Sequence, residues 1–542
     1  MKKLICCAIF FTIATVQAQS NKPSTPPINW QLMDWQQDGY PGISLEKAYN
    51  ELLKNKKPIT KVVVAVIDLG LEDTHPDLAG MEWINKKEIP GNNIDDDHNG
   101  FVDDVHGWNF SGNAITETWE PIREYVRLRH QFENITDSNQ IKNNSLYDYW
   151  VKVVKEKELQ LNMVTTVANT RNNHLLCFRT LYNYWNKKLP NDPLYIRDIK
   201  NREPEQDADS SVKKAYQYLR EVYFKRPRTV DDSTMISLIC QFEDGIAKIK
   251  ITLGRVDTII KKNDPAYFRK KETGDDPYSN TIHNYGNNDT WPIWDHGTLC
   301  TGVIAALRNN NIGINGITNS VEIMPVRIFA HEGDEWDKDV ANAILYAADN
   351  GAKVISMSIS KKISPQKKWV DDAIRHAEQK GVLFINAAGN SSSDNDLRVD
   401  YPEPFYLDRT RAANMIKVGA SAFDSSLVAS FSCYGKHTVD VFAPGLSIYT
   451  TTLQGQYATV GGTSFACPIV AGLAALLWSY YPKLNYKQVK ECIEQSATPI
   501  NTLVTKPGTD EKVLFSTLSR TGGIVNAYNA VKLADEIIKQ KK

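Results

Sequence analysis

Lys61–Asp68 reads KVVVAVID, an unbroken run of apolar, mostly β-branched residues closed by an acid. A strand that alternates apolar and polar side chains can leave one face in water. This one cannot, and needs cover on both faces, which is the situation of a central strand in a parallel sheet. Two further runs, Ala352–Ile359 and Gly381–Ala388, repeat the pattern. Each follows a stretch of helical periodicity, Val340–Asp349 and Lys368–Lys380. Helix and strand in alternation predict an α/β chain built on a doubly wound, mostly parallel sheet.

The chain carries 63 Lys and Arg against 64 Asp and Glu, a formal net charge of −1. Such neutrality lacks the basic footprint of a nucleic-acid binder, so no nucleic-acid partner is expected. Lys2 and Lys3, the apolar run Leu4–Val16 and the small residues around Ala18 form the three parts of a signal peptide, residues 1–18. Export follows as an expectation, to the periplasm or outside the cell. No other stretch holds about 18 apolar residues in a row, so no membrane span is expected. Six cysteines remain beyond the signal, with no metal-type spacing. A Cys177–Cys240 bridge and free buried thiols both stay open.

From about Ser111 to Tyr285 the texture changes, and charged and aromatic residues at helical spacing replace the β-branched runs. Helices are expected over Asn143–Glu158, His174–Lys188, Val212–Phe224 and Met235–Lys262, with Pro190, Pro193 and Pro204 in loops. Residues 112–285 therefore read as a mainly helical insertion in a larger α/β domain made of 61–111 and 286–533. Its aromatic stripes (Tyr147, Tyr149, Trp150; Tyr182, Tyr184, Trp185) read as packing. Residues 19–60, with a short amphipathic helix over Ile43–Leu53, are expected to pack on the core. Residues 534–542 read as a basic tail.

Three short segments stand at element boundaries. Asp68-Leu69-Gly70 ends the first strand, at the sheet edge where open α/β sheets form their sites. His296-Gly297-Thr298 opens an apolar helical stretch, and Gly461-Gly462-Thr463-Ser464 opens another over Phe465–Tyr481. Each has an ordinary reading alone: a turn acid, a structural histidine, an N-cap serine.

The sequences around them make a further connection. VAVIDLGLEDTHPDL, HGTLCTGVIAA and GGTSFACPIVAG resemble the three signature blocks of the subtilisin-like serine proteases, or subtilases. Every defined position of the third block is met, by Gly462, Thr463, Ser464, Ala466, Pro468, Ala471 and Gly472. The chain order Asp, His, Ser is also that of this family. The resemblance implies a subtilisin-type fold and an endopeptidase acting on polypeptides through an acyl-enzyme. Ser464 would be the nucleophile, His296 its general base, and Asp68 the group holding the imidazole. Asn390, in VLFINAAGN, resembles the side-chain donor to the oxyanion. In a member of this family loss of that donor costs roughly 10²–10³ in turnover. Val354–Ser360 resembles the strand that pairs with substrate, which implies substrate contacts at Ser358, Ser360 and Gly389.

The chain departs from the family pattern in places. Ser360 and Lys361 stand where glycines are frequent, so side chains there are expected to narrow the specificity pocket. Leu69 and Leu299 replace a polar residue and a second histidine beside the acid and the base. These departures motivate two other readings: a catalytically silent subtilase fold that binds a partner, and a restricted processing protease. The insertion, attached between two triad residues, is expected to gate the site or bind a partner.

Asp95–Asp104 (DDDHNGFVDD) contains D-x-D-x-N-G. Oxygen donors at the first, third and fifth places, with glycine sixth, suit Ca²⁺. Asp95, Asp97, Asn99, the Phe101 carbonyl and Asp103 are the expected ligands of a structural calcium ion. His106 stands at the twelfth place instead of the glutamate of an EF-hand. The stretch also resembles a loop found in bacterial subtilases after the catalytic acid.

Overall fold

In the computed structural model, which describes residues 25–135, 144–190, 192–224, 233–331 and 333–540, the Lys61 run forms β1 (Val62–Asp68). It lies between β3 (Val321–Arg327) and β4 (Val354–Met357), parallel to both. Its side chains alternate between two cores, as a strand's period of two requires. Val62, Val64 and Val66 join one hydrophobic cluster, Ala65 and Ile67 the other. The signal-peptide residues lie outside the described residues.

β2 (Trp108–Asn109), β5 (Leu383–Ala387), β6 (Met415–Ser421), β7 (Val441–Pro444), β10 (Thr498–Pro499) and β13 (Gly523–Ile524) complete the sheet. Among the described residues it has nine strands, in the order β10-β13-β7-β6-β5-β4-β1-β3-β2. Only the β10–β13 pair at one edge is antiparallel. Two small hairpins, β8–β9 (Ile448–Thr451, Tyr457–Val460) and β11–β12 (Leu503–Thr505, Lys512–Leu514), stand apart.

Helices cover both faces. On one lie α9 (His296–Ala305), α12 (Thr463–Tyr480), α13 (Tyr486–Gln495) and α14 (Ala527–Gln540). On the other lie α10 (Asp337–Asp349) and α11 (Lys367–Gln379). Among the described residues α12 alone is long and apolar enough to cross a membrane, and 89% of that stretch is buried inside the protein. α14 continues to Gln540 and buries Ala534, so the expected basic tail is the end of a packed helix. Towards the N-terminus, α1 (Trp35–Asp38) and α2 (Leu45–Lys47) lead into a wider turn over Ala48–Leu52. The helix expected over Ile43–Leu53 is thus split, while Trp30, Leu32, Ile43 and Leu45 pack against the core of the α12 side.

The region between β2 and α9 is helical: α3 (Glu120–Phe132), α4 (Asn144–Lys188), α5 (Ile196–Lys200), α6 (Ser210–Tyr218), α7 (Met235–Lys262) and α8 (Tyr267–Thr273). The two helices expected within 143–188 are one continuous 45-residue helix. At 1.5 Å per residue it spans about 68 Å. The intervening stretch Leu159–Asn173 holds no proline or glycine, but its polar and β-branched residues hide the apolar period. The distal part has its own core around Phe178, Trp185, Leu219 and Met235. Trp150 stacks on Tyr125 with centroids 5.3 Å apart, so these aromatics are packing groups. The six described cysteines, Cys177 and Cys240 included, are free thiols.

Candidate active site

Asp68 is the last residue of β1 and is 1% exposed. His296 is the first residue of α9, whose other nine residues are buried. The helix approaches β1 closely because Gly297 has no side chain: a Cβ there would lie 2.0 Å from the Gly70 carbonyl oxygen. The imidazole Nδ1 lies 2.8 and 2.9 Å from the two Asp68 carboxylate oxygens. An ionised carboxylate only accepts, so Nδ1 carries the hydrogen and Nε2 keeps its lone pair in the neutral ring. Burial works to lower the pKa of His296, but the Asp68 carboxylate outweighs it and the net value stands well above 6.5.

Ser464 is the second residue of α12, so its N–H is one of the free donors at the helix start. Pro468 lies four residues on, and has no N–H to donate to the Ser464 carbonyl. Two groups from outside the helix take that acceptor. The Ser358 hydroxyl donates to it at 2.8 Å and the Cys300 thiol at 3.3 Å. Cys300 Sγ is also 3.9 Å from His296 Nδ1, so one side chain touches both the helix of the base and that of the hydroxyl. The Ser464 hydroxyl donates to the Ser358 carbonyl at 3.0 Å. The structure therefore joins Asp68 to His296 directly, and ties Ser464 to Ser358.

Asn390 follows β5. Its Oδ1 accepts from the Thr463 N–H at 2.8 Å and the Thr463 hydroxyl at 3.0 Å. A backbone N–H can only donate, which fixes the amide orientation and leaves Nδ2 as the donor Asn390 offers. The Thr463 hydroxyl in turn accepts from the Gly389 N–H at 3.1 Å. Gly389 has φ +105°, and a Cβ there would lie 3.2 Å from Ser360 Oγ and 2.8 Å from Asp400 Oδ2. Ser360 and Gly389 thus face each other, whereas Lys361 turns away. Its ammonium is buried between Glu120 and Asp337, so it does not narrow the pocket. Leu299 is buried in the core and does not contribute a polar group beside the base.

Two residues that sequence reasoning passed over support this edge. Asn386 of β5 donates to the carbonyls of Met357 (3.0 Å) and Ile359 (2.9 Å). Its Oδ1 accepts from Lys417 Nζ at 3.1 Å, and Lys417 also donates to the carbonyls of Asp400 and Pro402. Burial pushes the Lys417 ammonium down to about 8. A polar residue inside an apolar strand was the available signal in both cases.

The acidic loop arranges its oxygens differently from the spacing rule. Glu88, Asp95 and Asp97 bring ligand atoms within 4.8 Å of one another. Asp103 lies outside this group and accepts the backbone N–H groups of Gly91 (2.8 Å) and Asn93 (2.9 Å), while Glu88 accepts those of Asp96 (3.0 Å) and Asp103 (3.1 Å) and Asp95 that of Gly100 (2.8 Å). Asn99 Oδ1 accepts from the Phe101 N–H at 2.8 Å, and the Phe101 ring packs against Trp108 and Tyr346. Glu88, seven residues before Asp95, was outside the motif window.

A mostly parallel, doubly covered sheet with a carboxylate–imidazole pair at the end of β1 and a hydroxyl opening a buried helix defines a hydrolase-type α/β architecture. The model of the subtilase family matches residues 247–522, just over half the chain. The chain is 36% identical over 252 residues to the thermophilic serine proteinase of Bacillus sp. (strain AK1), covering 46% of this chain and 55% of that protein. It is 35% identical over 290 residues to thermitase of Thermoactinomyces vulgaris, covering 54% and 90%. Subtilisin BL of Lederbergia lenta is 34% identical over 205 residues, covering 38% and 71%. The chain belongs to the subtilase family of serine-type endopeptidases. Asp68 precedes the residues the family model matches; the fold brings it to His296.

Proposed function

We propose that this protein is an exported serine endopeptidase that cleaves polypeptides, with Ser464 as nucleophile, His296 as base and Asp68 as the group that holds it. The observation that carries the reading is the Asp68–His296 pair: with Nδ1 against the carboxylate, Nε2 is the nitrogen left to act as base. On substrate binding the Ser464 hydroxyl turns from the Ser358 carbonyl to Nε2. Oγ attacks the scissile carbonyl carbon while Nε2 takes the proton. The oxyanion receives hydrogen bonds from the Ser464 N–H and Asn390 Nδ2, helped by the positive end of α12. The imidazolium then protonates the leaving amine, and water repeats the sequence on the acyl-enzyme. Ser358, Ser360 and Gly389 border the substrate strand and its pocket.

A fluorophosphonate tests this directly. Labelling of wild type and none of Ser464→Ala is expected. No labelling of folded wild type, with retained binding of a polypeptide, would favour the silent binding fold.

We also propose Ca²⁺ at the Glu88–Asp95–Asp97 cluster. The donor set fits: hard carboxylate oxygens gathered in one place, with like charges that a divalent cation would offset. When bound, the ion supplies structural cross-linking of the loop. Export by residues 1–18 is part of the same proposal, and N-terminal sequencing of the mature protein checks it. The insertion is proposed to limit access to the site. Lys152 of α4 lies over the Tyr401 ring at 5.1 Å, Glu156 pairs with Arg398 at 2.6 Å, and Lys248 of α7 lies over Trp294 at 5.1 Å. These contacts reach the loop after Asn390 on one side and the approach to His296 on the other. Loss of the first two, in a Lys152→Ala/Glu156→Ala protein, should raise cleavage of a folded substrate relative to a short peptide.

A further inference from the structure

Lys361 directly follows the substrate-side residues Ser358–Ser360, and its ammonium enters a buried ion cluster. It lies 2.9 Å from Asp337 Oδ1 and 3.2 Å from Glu120 Oε2, and donates to the Glu335 carbonyl at 3.0 Å. Glu120 is the first residue of α3, the helix that opens the insertion, and it is fully buried. Arg123, one turn on, is also fully buried. It pairs with Glu120 at 2.8 Å, donates to the carbonyls of Thr118, Asp334 and Glu335, and stacks on Trp336 at 3.9 Å. The backbone of Lys361 meanwhile exchanges both hydrogen bonds with Tyr401, at 3.0 and 2.8 Å, next to Asp400 and the Gly389 wall.

An ammonium with a side chain only 6% exposed loses most of its hydration, so it stays only where carboxylates fix it. Its position sets the end of the Ser358–Ser360 segment and, through the Tyr401 bridge, the facing wall. We infer that Lys361 is a positioning residue through which the first helix of the insertion holds both walls of the substrate pocket in register. The inference rests on the protease reading above. The insertion is then a structural part of the specificity pocket, and a side chain where the family often has glycine is the anchor that connects them.

The test compares two reporters in the full-length protein. Cleavage of a tetrapeptide p-nitroanilide needs an ordered substrate strand, whereas diisopropyl fluorophosphate needs only the Ser464 hydroxyl and its base. Lys361→Met and, independently, Glu120→Gln are expected to lower tetrapeptide kcat/KM by about tenfold or more, mainly through KM, because small misplacements of a binding strand are costly. The diisopropyl fluorophosphate labelling rate should stay within about threefold of wild type. Lys361→Arg, which keeps the charge, should recover most of the loss. Unchanged tetrapeptide kcat/KM in both variants would overturn the inference, as would a parallel fall of both reporters. Should Lys361→Met fail to fold, Glu120→Gln keeps Lys361 paired with Asp337 and decides the question alone. Absence of labelling in wild type would instead overturn the protease reading itself.

Discussion

Ser358 and Ser464 exchange hydrogen bonds in both directions: each hydroxyl donates to the other's carbonyl, at 2.8 and 3.0 Å. The exchange exists because Pro468 leaves the Ser464 carbonyl without a helical donor. Removing the Ser358 hydroxyl therefore strips a buried acceptor of its stronger partner and leaves only a thiol. Ser358→Ala should cost about 1–3 kcal/mol of stability, measured by denaturant unfolding. Because the Ser358 carbonyl remains, the Ser464 hydroxyl keeps its resting acceptor, and fluorophosphonate labelling of the variant should persist.

As the proposed base, His296 can take a proton only when neutral. Asp68 holds its pKa well above 6.5, so the imidazole stays protonated and inactive to a higher pH than an ordinary histidine. The acid limb of kcat/KM should accordingly fall as pH drops, with its midpoint on the alkaline side of 6.5. Asp68→Asn removes the opposing carboxylate. Burial is then opposed only by the neighbouring Cys300, so the limb should move to lower pH while turnover falls by about 10⁴-fold. A pH profile of initial rates for the two proteins checks both parts.

Calcium should stabilise the folded chain by about 2.7 kcal/mol when present at a hundredfold excess over its dissociation constant. Asp97→Ala and Glu88→Gln should each abolish that increment, whereas Asp103→Asn should retain most of it because Asp103 lies outside the three-carboxylate cluster. Thermal unfolding with calcium and with a chelator decides between these outcomes.

Lys417 makes the opposite kind of contribution to pH dependence. Its value falls from 10.5 in the unfolded chain to about 8 in the fold, through burial, against the opposing effect of Asp400, Cys433 and Glu403 and with a smaller push from Lys362. Between these values the unfolded chain binds the extra proton, so stability from this group rises with pH across the window and is at its low level below about 8. The difference between wild-type and Lys417→Met unfolding free energies should climb by about 3 kcal/mol from the bottom to the top of that window.

Legibility in the sequence followed burial. β1, β4 and β5 were visible because strands covered on both faces need continuous apolar residues. β3 was not, since Glu322 and Pro325 interrupt its run, and β6 was hidden by Lys417 and Gly419. The boundary residues Asp68, His296 and Ser464 stood out through the segments around them. What could not be read was direction: a sequence does not say that Lys361 turns into an ion cluster, that Asp103 is taken up by loop N–H groups, or that Glu88 joins Asp95. Those outcomes depend on contacts between segments far apart in the chain.

β1 finds its two neighbours, β3 and β4, only beyond the whole helical region that separates them in sequence. During synthesis this most apolar strand emerges long before anything can hydrogen-bond to its edges, while the distal helices around Phe178 already have partners enough to condense by themselves. Pairing across such a distance is slow, and an unpaired strand invites association with other chains in the meantime. The ribosome thus delivers the sheet's centre first and its completion last, so Asp68 waits for α12 until most of the chain has been made.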